Sequence, residues 1–561
     1  MRSTLDDSLT ALVIHFTRRF VDPESPTEEW VHRNRLTQFL ALIFVAAPML
    51  MVLVVRGQER ILVQIGTFDF EWWWAGLHYT LICYEMSVIG LIMALRWETL
   101  FPGREDYLIL TPLPVSTRRL FLAKAIAVTT ILLSFALAAN AVLAIVIGVM
   151  QPRAFIAHAV AVLAASVFSV LSFLALQGIL INVLPTRTFR RISPSLQMVA
   201  IALLVTLLLV LPLVGVSLRP LTTMNSPLLD YFPPVWFLGI YELLAPSSPP
   251  IPNVTEWAWN AVIMTVLMMV LVVVCYGAGY RRHSRRMLED FDEIDQAPRW
   301  WERAGKNIRD SLLNTNAFQR AAFEFIGKIA DRSSKHRVSI ALYSGLGIAL
   351  ALSSLFVIDR REAFPIKLSA RGVLEAPAVL SFLLVAGWRS TFGIPYELAA
   401  NWIFQMTTRK GAADFRKAIR KWLFVCRVLP LYVVVACFEF SWFDPRMAIS
   451  HLVVDLITTA FLVEALFFGF RKVPFTCAYL QSKLQLAFYA VLYLFAYTSY
   501  TSLVADLKGW ASVDPRHLAR FASLSLILFG VILIYRSLAG AERSRFVYED
   551  RESGYQQLDL S

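Results

Sequence analysis

Charge is what this chain has least of. Only 17% of its 561 residues are Asp, Glu, Lys or Arg, against about a quarter in soluble domains. The deficit falls in uninterrupted apolar runs of roughly 20 residues, the length that crosses the hydrocarbon of a bilayer as a helix. Alternating segments of about 10 residues, which barrel strands would need, are missing, so helices fill the membrane. Cysteine is sparse as well. Cys83, Cys275, Cys426, Cys437 and Cys477 show no paired metal spacing, and four of them fall inside apolar runs, so neither a disulfide framework nor a zinc site is expected. No GxxxxGK[ST] loop occurs; the nearest string, Gly305-Lys306-Asn307, lacks both the upstream glycine and the Ser/Thr. If ATP acts on this protein, another chain binds it. HExxH and GxSxG are also missing, which removes the common zinc-protease helix and weakens a hydrolase of the second type. Gly277-Ala278-Gly279 and Gly345-Leu346-Gly347 have no third glycine and read as helix-packing sites. No cofactor is expected.

What is present is 57% hydrophobic residues, distributed over about twelve runs. Spans are expected at Thr37–Val55, Trp74–Leu95, Ala123–Met150, Phe155–Val183, Leu196–Leu218 and Trp257–Tyr280. A second set follows at Val338–Ile358, Leu374–Phe392, Trp422–Phe440, Ala448–Phe470, Leu486–Val504 and Arg520–Tyr535. The expected fold is an all-α integral membrane protein of about 12 transmembrane helices. It has a first six-helix half over residues 1–280, a basic amphipathic cytosolic link over 281–337, and a second six-helix half with a short cytosolic tail over 338–561. Met1–Arg35 is polar and charged, unlike a cleavable leader.

Basic residues orient the chain. The formal net charge is +12, which on so apolar a chain reflects loop topology rather than nucleic-acid binding. With both termini in the cytoplasm, the inner side collects about 39 Lys and Arg and the outer side about 12. Flipping the chain would expose the dense cluster of Arg281–Arg337 outside. An even number of spans per half makes the halves parallel, related by an axis along the membrane normal. At an offset of 293 residues, Arg96 meets Arg389, Pro102 meets Pro395, Lys124 meets Lys417 and Ala125 meets Ala418.

Those matches surround a segment that leaves the second span of each half on the inner side. Asp106–Lys124 reads DYLILTPLPVSTRRLFLAK. Pro102 suits the opening of a helix, and Glu105 and Asp106 favour its positive end. Tyr107, Leu108, Ile109 and Leu110 give it an apolar face. Pro112 and Pro114 stop it, and Ser116 or Thr117 can cap the next helix near Arg118. In the second half Pro395 opens a similar segment, Glu397 sits in its first turn, and Leu398, Trp402, Ile403 and Phe404 supply the apolar face before Arg409, Lys410 and Gly411. Each half is expected to lay a short amphipathic helix on the inner surface. That helix serves as a lipid anchor or a docking element for a cytosolic partner; its duplication favours a two-fold partner.

An acid, an apolar run, a Leu-Pro pair and a basic helix start, here Asp106-Tyr-Leu-Ile-Leu-Thr-Pro-Leu-Pro114 with Arg118, Arg119 and Lys124, resemble the corresponding segment of type-2 ABC exporter permeases. The second half departs by lacking the Leu-Pro pair, but ELAANWIFQMT and Val473-Pro-Phe-Thr-Cys477 are similar to cytosolic segments of the large two-half bacterial members. The resemblance implies a membrane subunit of an ATP-driven exporter in the bacterial inner membrane. It also implies a separate ATP-binding cassette subunit, in two copies, docking on Asp106, Tyr107, Leu108, Leu110, Leu113, Pro114, Arg118 and Arg119, and on Glu397, Trp402 and Phe404. Nothing in the chain selects the substrate.

Ionisable residues inside spans point to function by default, because an unpaired charge there costs roughly 2.5–3.5 kcal/mol on insertion scales. Glu85, Asp455, Glu464, Arg389 and Arg427 are the candidates, as structural pairs or as ion carriers. They keep a second reading open, a twelve-span carrier driven by an ion gradient, although the link after the second span lacks the Gly-x-x-x-Asp-Arg signature of the largest such family. Between the fifth and sixth spans, Trp236, Phe237 and Tyr241 are expected in an interfacial helix at the aromatic belt.

Overall fold

A computed structural model of the chain describes residues 2–21, 52, 55–60, 62–63, 66, 69–97, 117–223, 227–247, 251–289, 317–358, 366–396, 412–468, 470, 473–476 and 483–539. Nearly all of them are helical. In chain order the helices are α1 (Arg2–Val21), α2 (Phe70–Leu95), α3 (Thr117–Met150), α4 (Pro152–Val183), α5 (Thr186–Leu209), α6 (Leu211–Thr223), α7 (Leu228–Tyr231), α8 (Pro233–Leu244) and α9 (Val254–Glu289). Then come α10 (Ala317–Arg332), α11 (Ser334–Leu355), α12 (Ala370–Thr391), α13 (Ala412–Leu423), α14 (Leu429–Trp442), α15 (Pro445–Leu466), α16 (Lys483–Val513) and α17 (Pro515–Ala539). Strands β1 (Phe356–Ile358) and β2 (Ile366–Leu368) pair as a ribbon between α11 and α12.

Among the described residues nine helices are long and apolar enough to cross a membrane, and ten if the two arms of α3, bent by 45° near residue 139, count as one span. The protein is therefore a helical membrane protein. The expected span Thr37–Val55 lies outside the described residues except for Val52 and Val55. The expected span Leu196–Leu218 is not one straight helix: α5 ends at Leu209 and α6 starts at Leu211. Pro212 explains the break, because it has no N–H to give to the carbonyl of Leu208.

Local chemistry sets the helix starts. Asp69 caps α2 by accepting from the Glu71 N–H at 3.1 Å, and Ser369 caps α12 by accepting from the Gly372 N–H at 3.1 Å. Prolines open α4, α8 and α15, where a missing N–H costs nothing. Between α13 and α14, Phe424–Val428 forms a π turn, closed by the Leu429 N–H bonding the Phe424 carbonyl. Pro430 follows at once; a regular helix would drive its ring into the carbonyl four residues back, and the wider turn removes that clash.

The chain divides into two compact units, Met1–Ile294 with Ile358–Pro365, and Asp295–Val357 with Ile366–Ser561. In the first, α2 is enclosed by α3, α4, α5, α6 and α8. In the second, α12 is enclosed by α11, α15 and α16. Small residues set the approaches, as expected where lipid supplies no hydrophobic drive for helix pairing. A Cβ on Gly387 of α12 would lie 2.7 Å from Tyr343 Cβ on α11. One on Gly239 of α8 would lie 2.6 Å from the Ala258 nitrogen of α9.

One sequence expectation changes, and two stretches gain detail. The polar N-terminal stretch contains α1, whose Leu12 and Phe16 bury against Ala123 and Ala127 of α3, with Phe20 in a neighbouring cluster against Val128 and Ile131. In the described parts of the link 281–337, residues 281–289 continue α9, and α10 packs Phe323 and Ile326 against Phe415, Ala418, Ile419 and Trp422 of the second unit. Finally, Trp236, Phe237 and Tyr241 are core residues of the first unit rather than a belt. They are 8%, 0% and 1% exposed, packed with Phe168 and Trp257, and the Tyr241 hydroxyl accepts from Trp74 Nε1 at 3.1 Å. Large amphipathic rings suit both places; the enclosure of α8 by α2, α4 and α9 decides for the core.

Candidate functional site

The docking residues fall mostly outside the described part of the chain. Asp106, Tyr107, Leu108, Leu110, Leu113 and Pro114 lie there, as do Glu397, Trp402 and Phe404. Arg118 is in the first turn of α3, and Arg119 beside it is exposed. The described residues on either side of each segment are fastened in both units.

In the first unit the end of α2 is held by side chains of α4 and α5. Gln177 Nε2 donates to the Trp97 carbonyl at 3.0 Å and Gln197 Nε2 to the Ala94 carbonyl at 3.0 Å, while Trp97 Nε1 donates to Ser193 Oγ at 2.7 Å. These amides meet carbonyls at the end of the helix, where its regular hydrogen-bond ladder runs out. Downstream of the segment, α1 seats its apolar face on α3, and the Lys124 ammonium lies 5.7 Å from the Phe16 ring centroid. Burying a phenylalanine of this kind contributes about 1.5–3 kcal/mol where water is the alternative.

The second unit repeats the arrangement with other residues. The turn after α12 is held by Phe475, whose N–H donates to the Phe392 carbonyl at 2.9 Å and whose carbonyl accepts from the Tyr396 N–H at 2.8 Å. Phe475 has φ +66°, a left-handed conformation that a bulky side chain adopts at a cost of about 1–3 kcal/mol. Ring contacts with Phe392 at 5.3 Å and His336 at 4.6 Å hold it there, and His336 Nε2 lies 2.9 Å from the Ile394 carbonyl. Beyond the segment, α10 seats on α13, with Gln319 Nε2 donating to Asp414 Oδ1 at 2.7 Å. Arg427, in the π turn, places its guanidinium 4.7 Å from Trp388 and 4.9 Å from Trp422, and pairs with Asp331 of α10 at 3.5 Å. A planar guanidinium set against two indole rings makes contacts that a lysine ammonium does not reproduce.

The intramembrane acids separate into different kinds. Glu464 is a structural pair: it faces Arg420 of α13 at 3.6 Å, tying α15 to α13. Glu85 is fully buried in the first unit, where Asn140 Nδ2 of α3 and Ser166 Oγ of α4 donate to its two oxygens at 2.5 and 2.8 Å. Close to it, toward the start of α2 and α4, His78 Nδ1 lies 3.3 Å from His158 Nδ1, and the His78 ring stacks on Tyr241 at 3.8 Å.

Asp455 belongs to a larger group that the sequence reading missed. Asp455 and Lys508 are 0% exposed, His451 1% and Glu439 2%. Lys508 Nζ lies 2.6 Å from Asp455 Oδ2 and 3.5 Å from Glu439 Oε1, and it donates to the Leu374 carbonyl at 3.2 Å. Glu439 Oε2 turns to His451 Nδ1 at 3.2 Å. A hydroxyl chain continues inward from this quartet: Ser381 to Tyr500 at 3.3 Å, Tyr500 to Thr459 at 3.2 Å, and Thr459 to Tyr432 at 2.7 Å. Four helices supply it, α12, α14, α15 and α16.

One signal could have found part of this group. At the 293-residue offset that pairs Lys124 with Lys417, His158 meets His451 and Ser166 meets Thr459. α4 in the first unit and α15 in the second thus each carry a buried histidine and, eight residues on, a buried hydroxyl. The partners differ: a histidine and a tyrosine in the first unit, a carboxylate with a lysine in the second. Among the described residues no group of three or more His, Cys, Asp or Glu is arranged to hold a metal ion. No family model matches the chain, and no curated protein or solved structure matches it.

Proposed function

We propose that the chain is the permease subunit of an ATP-driven exporter, worked by a separate ATP-binding cassette subunit in two copies. It would have twelve spans in two parallel six-helix halves, with both termini in the cytoplasm and the bilayer of a bacterial inner membrane around it. The observation that carries this reading is the paired fastening of the chain on both sides of each docking segment. An amphipathic helix seats on the helix that follows the segment, α1 on α3 and α10 on α13, and cross-helix hydrogen bonds tie down the stretch that precedes it. Force applied to a segment so held passes into the spans instead of unravelling a loop. The repeat of buried histidine and hydroxyl at one offset supports the duplication.

The test is recovery of the motor. The full chain, extracted from its native membrane in mild detergent, is expected to bring down vanadate-sensitive ATP hydrolysis. Leu110→Asp and Arg118→Glu are expected to lose most of it while the chain itself stays at wild-type yield. ATP hydrolysis recovered undiminished with both variants overturns the reading. A second reading, a carrier driven by an ion gradient, is favoured by the quartet at Glu439, His451, Asp455 and Lys508, since ionisable groups buried within spans serve ion relays. Transport by the purified chain on a proton or sodium gradient without ATP would decide for it.

A further inference from the structure

We propose that Glu439, His451, Asp455 and Lys508 form a proton-binding site in the second unit, holding one proton at the contact between Glu439 and His451. The inference does not depend on whether ATP drives the chain.

Two carboxylates face one ammonium in a site where none of the three is more than 2% exposed. With a neutral imidazole the sum is one uncompensated negative charge. A buried charge without a counter-charge costs several kcal/mol, more than a proton costs to hold. Lysine cannot balance both acids, and it is already engaged: its shortest contact is to Asp455 at 2.6 Å and it also meets the Leu374 carbonyl. Glu439 is the acid left over, and its free side meets His451 at 3.2 Å. A proton on either of these two groups brings the sum to zero.

Among the described residues no other charge does this work. From α12 the facing groups are the Leu374 carbonyl and Ser381; the nearest charges on that helix, Arg371 and Glu375, pair with each other at 2.8 Å, and Arg371 also reaches Asp506 at 3.2 Å. Arg371 and Asp506 are more than half exposed, so they stand at the open end of the cluster. From α14 come Tyr432 and, at the helix end, the Phe443 ring, 5.0 Å from the His451 ring. Thr458 and Thr459 come from α15, Tyr497 and Tyr500 from α16, and α17 brings Leu518 and Phe521 to this side of the unit. His517 of α17 is stacked on Trp510 instead.

Placement gives the site access. Lys508, Glu439, His451 and Leu374 all lie near the ends of their helices, and those ends meet at one side of the unit. A proton crosses from the exposed Arg371–Asp506 pair to the quartet over about one helical turn, from Asp506 to Lys508 and from Arg371 to Leu374.

Thermal unfolding of the detergent-solubilised full chain, compared between acidic and alkaline buffer, tests this. The wild-type midpoint is expected to fall by several degrees as pH rises and the shared proton leaves. Glu439→Gln removes the surplus acid and should flatten the profile. His451→Asn removes the imidazole and leaves the proton to the Glu439 carboxyl alone, so its profile should be displaced from that of wild type. Infrared difference spectra between the two pH limits give a second readout: the wild-type signals of the proton-bearing carboxyl or imidazole should vanish in Glu439→Gln. A His451→Asn profile superimposable on wild type, or wild-type difference spectra retained in Glu439→Gln, overturns the proposal.

Discussion

Lys508 offers the sharpest energetic test, because one atom, its Nζ, holds together three helices. It lies 2.6 Å from Asp455 on α15, 3.5 Å from Glu439 on α14 and 3.2 Å from the Leu374 carbonyl on α12, with no exposed surface. Lys508→Met keeps the apolar stem and removes the charge. Two carboxylates are then left facing each other with only His451 beside them. Removing one partner of a buried pair costs about 3–5 kcal/mol, mostly from the charge left behind. An exposed pair such as Arg371 with Asp506 contributes about 0–1 kcal/mol. The double variant Lys508→Met with Asp455→Asn removes one charge of each sign and leaves Glu439 to His451, so it should lie within about 1–2 kcal/mol of wild type. The coupling energy of the cycle is then about 2 kcal/mol or more. The assay is unfolding of the detergent-solubilised chain in mixed micelles of increasing SDS, followed by helical circular dichroism, for wild type, both single variants and the double. Additive single effects would refute the reasoning, as would Lys508→Met at wild-type stability. Either result would mean that water or a rearranged helix compensates the acids and that the quartet is not a closed electrostatic unit.

Two further outcomes are expected. Arg427→Lys should cost about 1 kcal/mol in the same micelle assay, since an ammonium keeps the charge facing Asp331 but loses the guanidinium contacts with the Trp388 and Trp422 rings; unchanged stability would show that charge alone matters there. Glu242 of α8 accepts from the Ser247 N–H and hydroxyl, at 2.9 Å each, yet burial holds its carboxyl above the ordinary range. An acid whose folded-state pKa is raised weakens the fold as pH rises from the unfolded value, about 4.3, through the raised one. Glu242→Gln should therefore gain stability relative to wild type over that window and hold the gain above it, and parallel midpoint-against-pH curves for the two proteins would contradict this.

Much of the helical layout was legible from local composition. Eleven of the twelve expected apolar runs coincide with observed helices, one of them broken at Val210. The reason is that lipid demands a long apolar run for each crossing, and such a run is written in consecutive residues. Leu12, Phe16 and Phe20 of α1 also recur every fourth residue; that helix was readable but masked by the charges around it. Glu464 was visible as a buried acid, though not its partner Arg420, 44 residues earlier.

Sequence alone settled the solvent of this protein, the positions of most helices and the absence of a nucleotide loop, because each depends on neighbours along the chain. Tertiary structure alone decided which polar residues meet. Lys508 stands 53 residues from Asp455 and 69 from Glu439, and nothing in the spacing pairs them until α12, α14, α15 and α16 lie side by side. The same holds for α8, where the same aromatic residues would suit a membrane surface or a core, and the enclosing helices made the choice. Helix formation is satisfied within a segment, whereas compensation of a buried charge requires a partner that only packing can deliver.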